Sequence, residues 1–197
     1  MNPLSLRGST RVISEFFEYS INTILYQRAI YPPEDFSTVR KYELNLLKTH
    51  DDALKRYVKQ ILQQVHRWIL GEKCKKLVLC IIDKDTCETV ERWEFSIDRG
   101  NRGDEGDGDD EDAKETQRDI RALIRQITAS VTFLPELSDD GSYTFNVLAY
   151  TDANAKVPLE WADSDAQEIQ DGESVQFRGF STGGQQVTTR VSYKVND

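Results

Sequence analysis

The stretch KLVLCIIDKDTCETVERWEFSID, residues 76–98, decides the fold. Its first part contains LVLCII, a continuous apolar run that suits a strand covered on both faces. From Val90 to Asp98 the pattern alternates instead. Trp93, Phe95 and Ile97 fall on one side, and Arg92, Glu94 and Ser96 on the other. That period of two marks a strand with one buried face. The intervening DKDTCE is turn-like, so strands over 76–83 and 90–98 are expected to pair as a hairpin. A sheet with a dry face needs a cover, and the flanking sequence supplies it.

Ser9 to Ile30 places Val12, Ile13, Phe16, Phe17, Ile21, Ile24 and Leu25 at spacings of three and four. That is one face of a helix, and Pro32-Pro33 forbids its continuation. A second helix is expected over 51–70, opened by a capping box of Thr49 with Asp52 and stopped by Gly71. A third is expected over 114–134, striped by Ile120, Leu123, Ile124, Ile127, Val131 and Leu134 and ended by Pro135. Ser142 to Thr151 alternates as a further strand, with Tyr143, Phe145 and Val147 opposite Thr144, Asn146 and Leu148. Segments 174–182 and 186–195 flank Gly183-Gly184, a hairpin signal. Helices and hairpins in blocks, without repeated βα units, give an α+β class. Three main helices are expected to pack on a central, mostly antiparallel sheet.

The chain has 197 residues, enough for one domain over 1–197 with a sizeable core. Its 34 acidic and 25 basic side chains leave a net charge of -9, which disfavours phosphate-backbone binding. The acidity is concentrated. Residues 99–112, RGNRGDEGDGDDED, carry net -5 and have no apolar side chain to bury, so disorder is expected there. A calcium loop starting at Asp107 fails, because its sixth position is Asp112 where glycine is needed and its twelfth is Arg118 where glutamate is needed. No uncharged run is long enough to cross a bilayer, and the N-terminus lacks a signal-peptide pattern. Neither nucleic acid nor membrane is expected as a partner.

Little in the chain points to catalysis. His50 and His66 have no cysteine or histidine at ligand spacing, and read as surface or helix-edge residues. Cys80 lies inside the apolar run, while Cys74 and Cys87 fall at element ends, so all three read as reduced thiols. There is no GxSxG, HExxH or Walker motif. No enzyme activity, metal or cofactor is expected; a binding protein is.

Several stretches resemble the HORMA-domain family, and within it the spindle-checkpoint branch. They are EFFEYSINTILYQRAIYPPEDF from Glu15, LIRQITASVTFLPEL from Leu123, LAYTDANAKVPLEW from Leu148, ERWEFSI from Glu91, and the ending VSYKVND. The resemblance implies an adaptor that embraces a short partner peptide. The peptide is added as a strand beside the sheet, and a mobile C-terminal segment with its hairpin, called the safety belt, wraps over it. On that reading the receiving strand is 142–151 and the belt is 152–197. Tyr143, Phe145, Val147, Ala149, Trp161, Val191 and Tyr193 are then the peptide-binding residues, with Trp161 as anchor. The ligand is expected to carry a basic residue, two aliphatics, a short spacer and a proline. Deleting 187–197 is expected to abolish its binding without unfolding the domain.

The resemblance also implies open and closed folds. The C-terminal hairpin covers the peptide edge in one, and in the other displaces a short N-terminal strand, here Leu4-Ser5-Leu6, with Leu6 tuning the balance. Arg125, Gln126 and Phe133 match a self-association surface that joins an open to a closed copy. The implied partners are the checkpoint scaffold mitotic arrest deficient one, the anaphase-promoting complex activator cell-division-cycle twenty, and an AAA-type ATPase remodeller acting with a HORMA adaptor. The implied locations are nucleus, kinetochore, nuclear envelope and cytoplasm. Other HORMA adaptors, such as a translesion polymerase accessory subunit or a meiotic axis protein, are the nearest alternatives.

Overall fold

A computed structural model describes residues 6–99, 109–182 and 184–195, with side-chain surroundings from Gly8 and, in the third helix, from Ala113. The first helix, α1, spans Leu6–Gln27 and buries Ile13, Phe16, Phe17, Ile21, Ile24 and Leu25. It ends before the two prolines because Ala29 turns left-handed at φ 53, a conformation costly for a residue with a Cβ. After a short 3-10 turn, strands β1 (Phe36–Lys41) and β2 (Leu44–Thr49) form a separate antiparallel hairpin. No turn signal in the sequence marks this hairpin, whose turn residues Tyr42 and Glu43 are left-handed without Gly or Asn.

Helix α2 runs Asp52–Leu70. Its cap is Asp51, not Thr49: the Asp51 carboxylate accepts the Leu54 N–H at 2.8 Å, while the Thr49 hydroxyl accepts from the Asp51 N–H at 3.1 Å. Leu54, Val58, Ile61, Val65, Trp68 and Ile69 are buried along one side, as their helical spacing demands. Strands β3 (Cys74–Asp83) and β4 (Thr89–Arg99) form the expected hairpin, with Leu79 opposite Trp93. Helix α3 spans Asp109–Ala129, continued by a 3-10 turn at Ser130–Thr132. The stretch expected to be disordered therefore contributes at both ends: Arg99 closes β4 and ion-pairs with Glu72, and 109–112 begin α3. Residues 100–108 lie outside the described part.

Strand β5 is Tyr143–Thr151, β6 is Glu173–Gln176, β7 is Phe180–Thr182 and β8 is Gln185–Tyr193. The large sheet is ordered β5-β3-β4-β8-β6, with β7 also on β8, and every pairing is antiparallel. The expected strand over 174–182 is broken. Gln176 opposes Arg190 and Phe180 opposes Val187, so three residues face two, which is a β-bulge at 177–179. The bulge is tight at Gly179, where an added Cβ would meet the Val187 carbonyl at 2.8 Å.

All three helices lie on one face of the large sheet. Leu77, Leu79, Trp93, Phe95, Phe145, Val187 and Val191 meet them there. The Phe16 ring stands against Phe95 at 5.8 Å and Phe180 at 4.8 Å. Each such buried side chain stabilises the fold by about 1.5–3 kcal/mol. The other face of β3 is also dry: Val78 and Cys80 pack with Leu148. Its continuous apolar run is thereby explained.

One buried ion pair ties the layers together. Arg28, just past α1, donates from Nε to Glu91 of β4 at 2.9 Å and from Nη2 to the Pro135 carbonyl at 2.6 Å. The Trp93 indole donates to the second Glu91 oxygen at 2.8 Å. Burial pushes the Glu91 carboxyl up, while Arg28 and the Trp93 N–H pull it back.

Candidate functional site

Strand β5 is an edge: among the described residues only β3 pairs with it. An antiparallel strand turns its main-chain groups alternately to its two neighbours. The Val147 N–H donates to the Asn146 side chain at 3.0 Å, not to β3, which marks the odd-numbered residues as outward. Tyr143, Phe145, Val147 and Ala149 thus present their N–H and C=O groups to the open side. Their side chains belong to the helix-side core, where Phe145 meets Tyr31 at 6.2 Å and Tyr57 at 5.6 Å. Tyr57 remains 43% exposed beside that edge, and burial of the rest of its ring pushes its phenol up. The edge is long and apolar, the kind that natural sheets cover or pair.

The chain leaving β5 then crosses from this edge of the sheet to the other, where β6 sits. Four strand spacings separate the two, about 19 Å, whereas the connecting residues 152–172 could extend about 70 Å. The excess goes into a detour. The Asp152 N–H donates to the Lys73 carbonyl at 2.9 Å, holding the start of the segment at the foot of β3. The Trp68 indole of α2 donates to the Lys156 carbonyl at 3.0 Å, and Trp161 stands edge-on to the Trp68 ring. The segment next appears on the opposite face of the sheet, where the Arg92 Nε donates to the Ala166 carbonyl at 3.1 Å. Arg92 is itself buried, paired with Glu94 and donating to the Tyr150 hydroxyl at 2.8 Å. Between Lys156 and Trp161, Leu159 is fully exposed and Val157 is 55% exposed. The segment is tied at Asp152, Lys156, Trp161 and Ala166, with exposed residues between these points. Trp68 and Arg92 escaped the sequence reading, because a stripe tryptophan and an outward strand arginine look ordinary there.

Val191 and Tyr193 are not at this edge. They lie on β8, separated from β5 by β3 and β4. Val191 is fully buried opposite Trp93, and the Tyr193 hydroxyl donates to Glu173 of β6 at 3.0 Å. Their grouping with the receiving strand is corrected: they hold the far edge together. The same geometry corrects the expected effect of deleting 187–197, which would remove a core strand. Leu6 begins α1, so the expected strand at 4–6 does not include it. Its side chain, with Leu4 and Ser5, lies outside the described residues.

Arg125, Gln126 and Phe133 are all exposed toward the end of α3, but they face two ways: Arg125 looks over α1 and β2, whereas Gln126 and Phe133 face the C-terminal strands. Gln126 is not free: its side-chain oxygen accepts the Arg178 N–H at 2.9 Å. Arg178, in the β-bulge, also pairs with Asp119 at 3.0 Å. Phe133, 44% exposed, stands 6.3 Å from the Phe177 ring. The Gln126 and Phe133 side therefore includes the C-terminal strands as well as α3.

His66 shares a hydrogen bond with Ser14 at 3.0 Å, and His50 is exposed. Among the described residues no group of histidine, cysteine and carboxylate side chains could hold a metal, and no helix is long and apolar enough to cross a membrane.

Comparison with known proteins agrees with this architecture. The HORMA domain family matches residues 9–185. The mitotic spindle checkpoint component MAD2 of Saccharomyces cerevisiae is 64% identical over 191 residues, covering 97% of each chain. The human mitotic spindle assembly checkpoint protein MAD2A is 41% identical over 193 residues, covering 98% of this chain and 93% of its own. A chain in the crystal structure of the mitotic checkpoint complex superimposes with a TM-score of 0.88 at 45% identity, covering 95% of this chain and 99% of that one. The chain belongs to the HORMA-domain family, in its group of mitotic spindle checkpoint components.

Proposed function

We propose that this protein is a peptide-embracing adaptor of the spindle checkpoint. A partner peptide adds as a strand to the outward groups of Tyr143, Phe145, Val147 and Ala149, and residues 152–172 pass over it as a belt. The unpaired β5 edge beside a largely exposed segment anchored at Trp68 and Arg92 is the observation that carries this reading. Main-chain pairing satisfies the edge, and contacts of the peptide's side chains beside the edge select the sequence. Val157 and Leu159, exposed without a bound partner, close on its apolar side chains. The belt holds the peptide partly by topology, so release requires an anchor to open and is slow.

With β8 paired to β4, no described strand beyond β3 pairs with β5, which supports reading this arrangement as the closed fold. In the open fold the C-terminal strands would instead cover β5. Closure around the anaphase-promoting complex activator sequesters it and delays anaphase, while a closed copy on the checkpoint scaffold recruits open copies through Arg125, Gln126 and Phe133. An ATPase remodeller with its HORMA adaptor would reopen the belt. The nucleus and the kinetochore are where this work is done. Calorimetry with a peptide bearing a basic residue, two aliphatics, a short spacer and a proline tests the proposal. Tight, slow binding to the folded chain is expected; absence of heat after long incubation would reject it.

A further inference from the structure

A groove of about 640 Å³ runs between α1, α2 and β2. Its floor is one row of α2, Val58, Leu62 and His66, four residues apart and so stacked along the helix. Its rim is the next row, Lys55, Lys59, Gln63 and Arg67, all exposed. The opposite wall carries Ser14, Glu18 and Asn22, and these are spent internally. Ser14 bonds His66, Glu18 pairs with Lys48 at 3.1 Å, and Asn22 accepts the Thr49 N–H at 2.9 Å. Lys55, Lys59 and Arg67 have no ion-pair partner among the described residues. Like charges at a spacing of four, as in Lys55 and Lys59, weaken a helix slightly. An unneutralised cationic rim over an apolar floor, in a chain of net charge -9, calls for an external anion with apolar side chains.

We propose that this groove is a second binding site, for an acidic amphipathic segment of a partner protein. From Lys55 to Arg67 the rim is about 18 Å long, which an acidic helix of about twelve residues spans. Its carboxylates pair with Lys55, Lys59 and Arg67, and its apolar side chains rest on Val58 and Leu62. Tyr57 and Trp68 lie on the other flank of α2, toward β5 and the belt. The groove and the peptide edge are thus on opposite sides of one helix, and both can be occupied at once.

The test is fluorescence anisotropy with a labelled peptide of about twelve residues, glutamates and leucines at helical spacing. The full chain should bind it, more weakly as salt rises. The charge reversal Lys55→Glu/Lys59→Glu/Arg67→Glu should weaken it by about tenfold or more. The milder Lys55→Gln/Lys59→Gln change should lie between, and circular dichroism and peptide binding at β5 should be unchanged in both. Equal binding by the reversed variant, or none by the folded wild type, overturns the proposal. Equally tight binding of a single-stranded oligonucleotide would mark a general anion surface and overturn it too. Binding that emerges only after removal of 100–108 would assign the groove to this chain's own acidic stretch instead.

Discussion

Trp161 meets Trp68 edge-on, with ring centroids 4.9 Å apart and planes at 72°. The contact joins a helix of the rigid body to a segment with no regular structure, 93 residues further along the chain. On the proposed reading of 152–172 as a belt, this contact is its latch on α2. An edge-on aromatic pair adds about 0.5–1.5 kcal/mol beyond its burial. Trp161→Ala should therefore speed peptide release by up to about tenfold while hardly changing association. Surface plasmon resonance reads both rates. An unaltered release rate would exclude the latch.

The second anchor makes a separate prediction. Arg92 holds the Ala166 carbonyl on the outer face of the sheet, where Cys80 and Leu148 are buried. Arg92→Met keeps the aliphatic bulk and loses these bonds. Limited proteolysis should then cut near 162–168 faster than in the wild type. Equal protection would place the restraint elsewhere.

The flank of α3 separates two roles. Arg125 is exposed, whereas Gln126 bonds the bulge at Arg178. Arg125→Ala should weaken dimers in gel filtration and leave peptide affinity unchanged. Gln126→Ala should weaken dimers and also loosen the bulge, seen as faster exchange of the Arg178 amide. If both variants behave alike in exchange, Gln126 is only an interface residue.

The Arg28–Glu91 pair is buried at both ends. Glu91→Gln leaves the guanidinium without its counter-charge and should cost about 3–5 kcal/mol. Arg28→Met with Glu91→Met should recover most of that loss in urea unfolding. A double variant as unstable as the single would mean that the pair's hydrogen bonds, not its unpaired charge, set the cost.

Burial pushes the Cys74 and Cys80 thiols up to about 11, from an ordinary 9.0. A folded pKa above the unfolded one gives stability that is present below pH 9.0 and lost as pH rises toward about 11. The urea midpoint should fall across that window, and Cys74→Ala/Cys80→Ala should flatten the fall. At pH 8 a thiol reagent should label exposed Cys87 alone until the chain unfolds.

Periodicity was enough for the three helices and for β4 and β5, and an unbroken apolar run for β3; the break between β6 and β7 was not legible. The β1–β2 hairpin was not legible. Its turn is Tyr42-Glu43, both left-handed at φ 52 and 58, without the Gly or Asn that usually signals such a turn. The receiving strand was readable as a strand, and its role came from resemblance. The belt's anchors were not readable, since Trp68 and Lys156 are 88 residues apart and Arg92 and Ala166 are 74 apart. Val191 and Tyr193 were misplaced for a related reason. A strand pattern says which face is buried, not which neighbour a strand chooses, and β8 chose β4.

Amide hydrogen exchange along β5, with and without the partner peptide, tests the central claim most directly. The amides of Thr144, Asn146, Leu148 and Tyr150 face β3 and should be slow in both states. Those of Tyr143, Phe145, Val147 and Ala149 should exchange quickly in the free protein and become slow when peptide is bound. Peptide binding that leaves these four amides fast would contradict strand addition at β5.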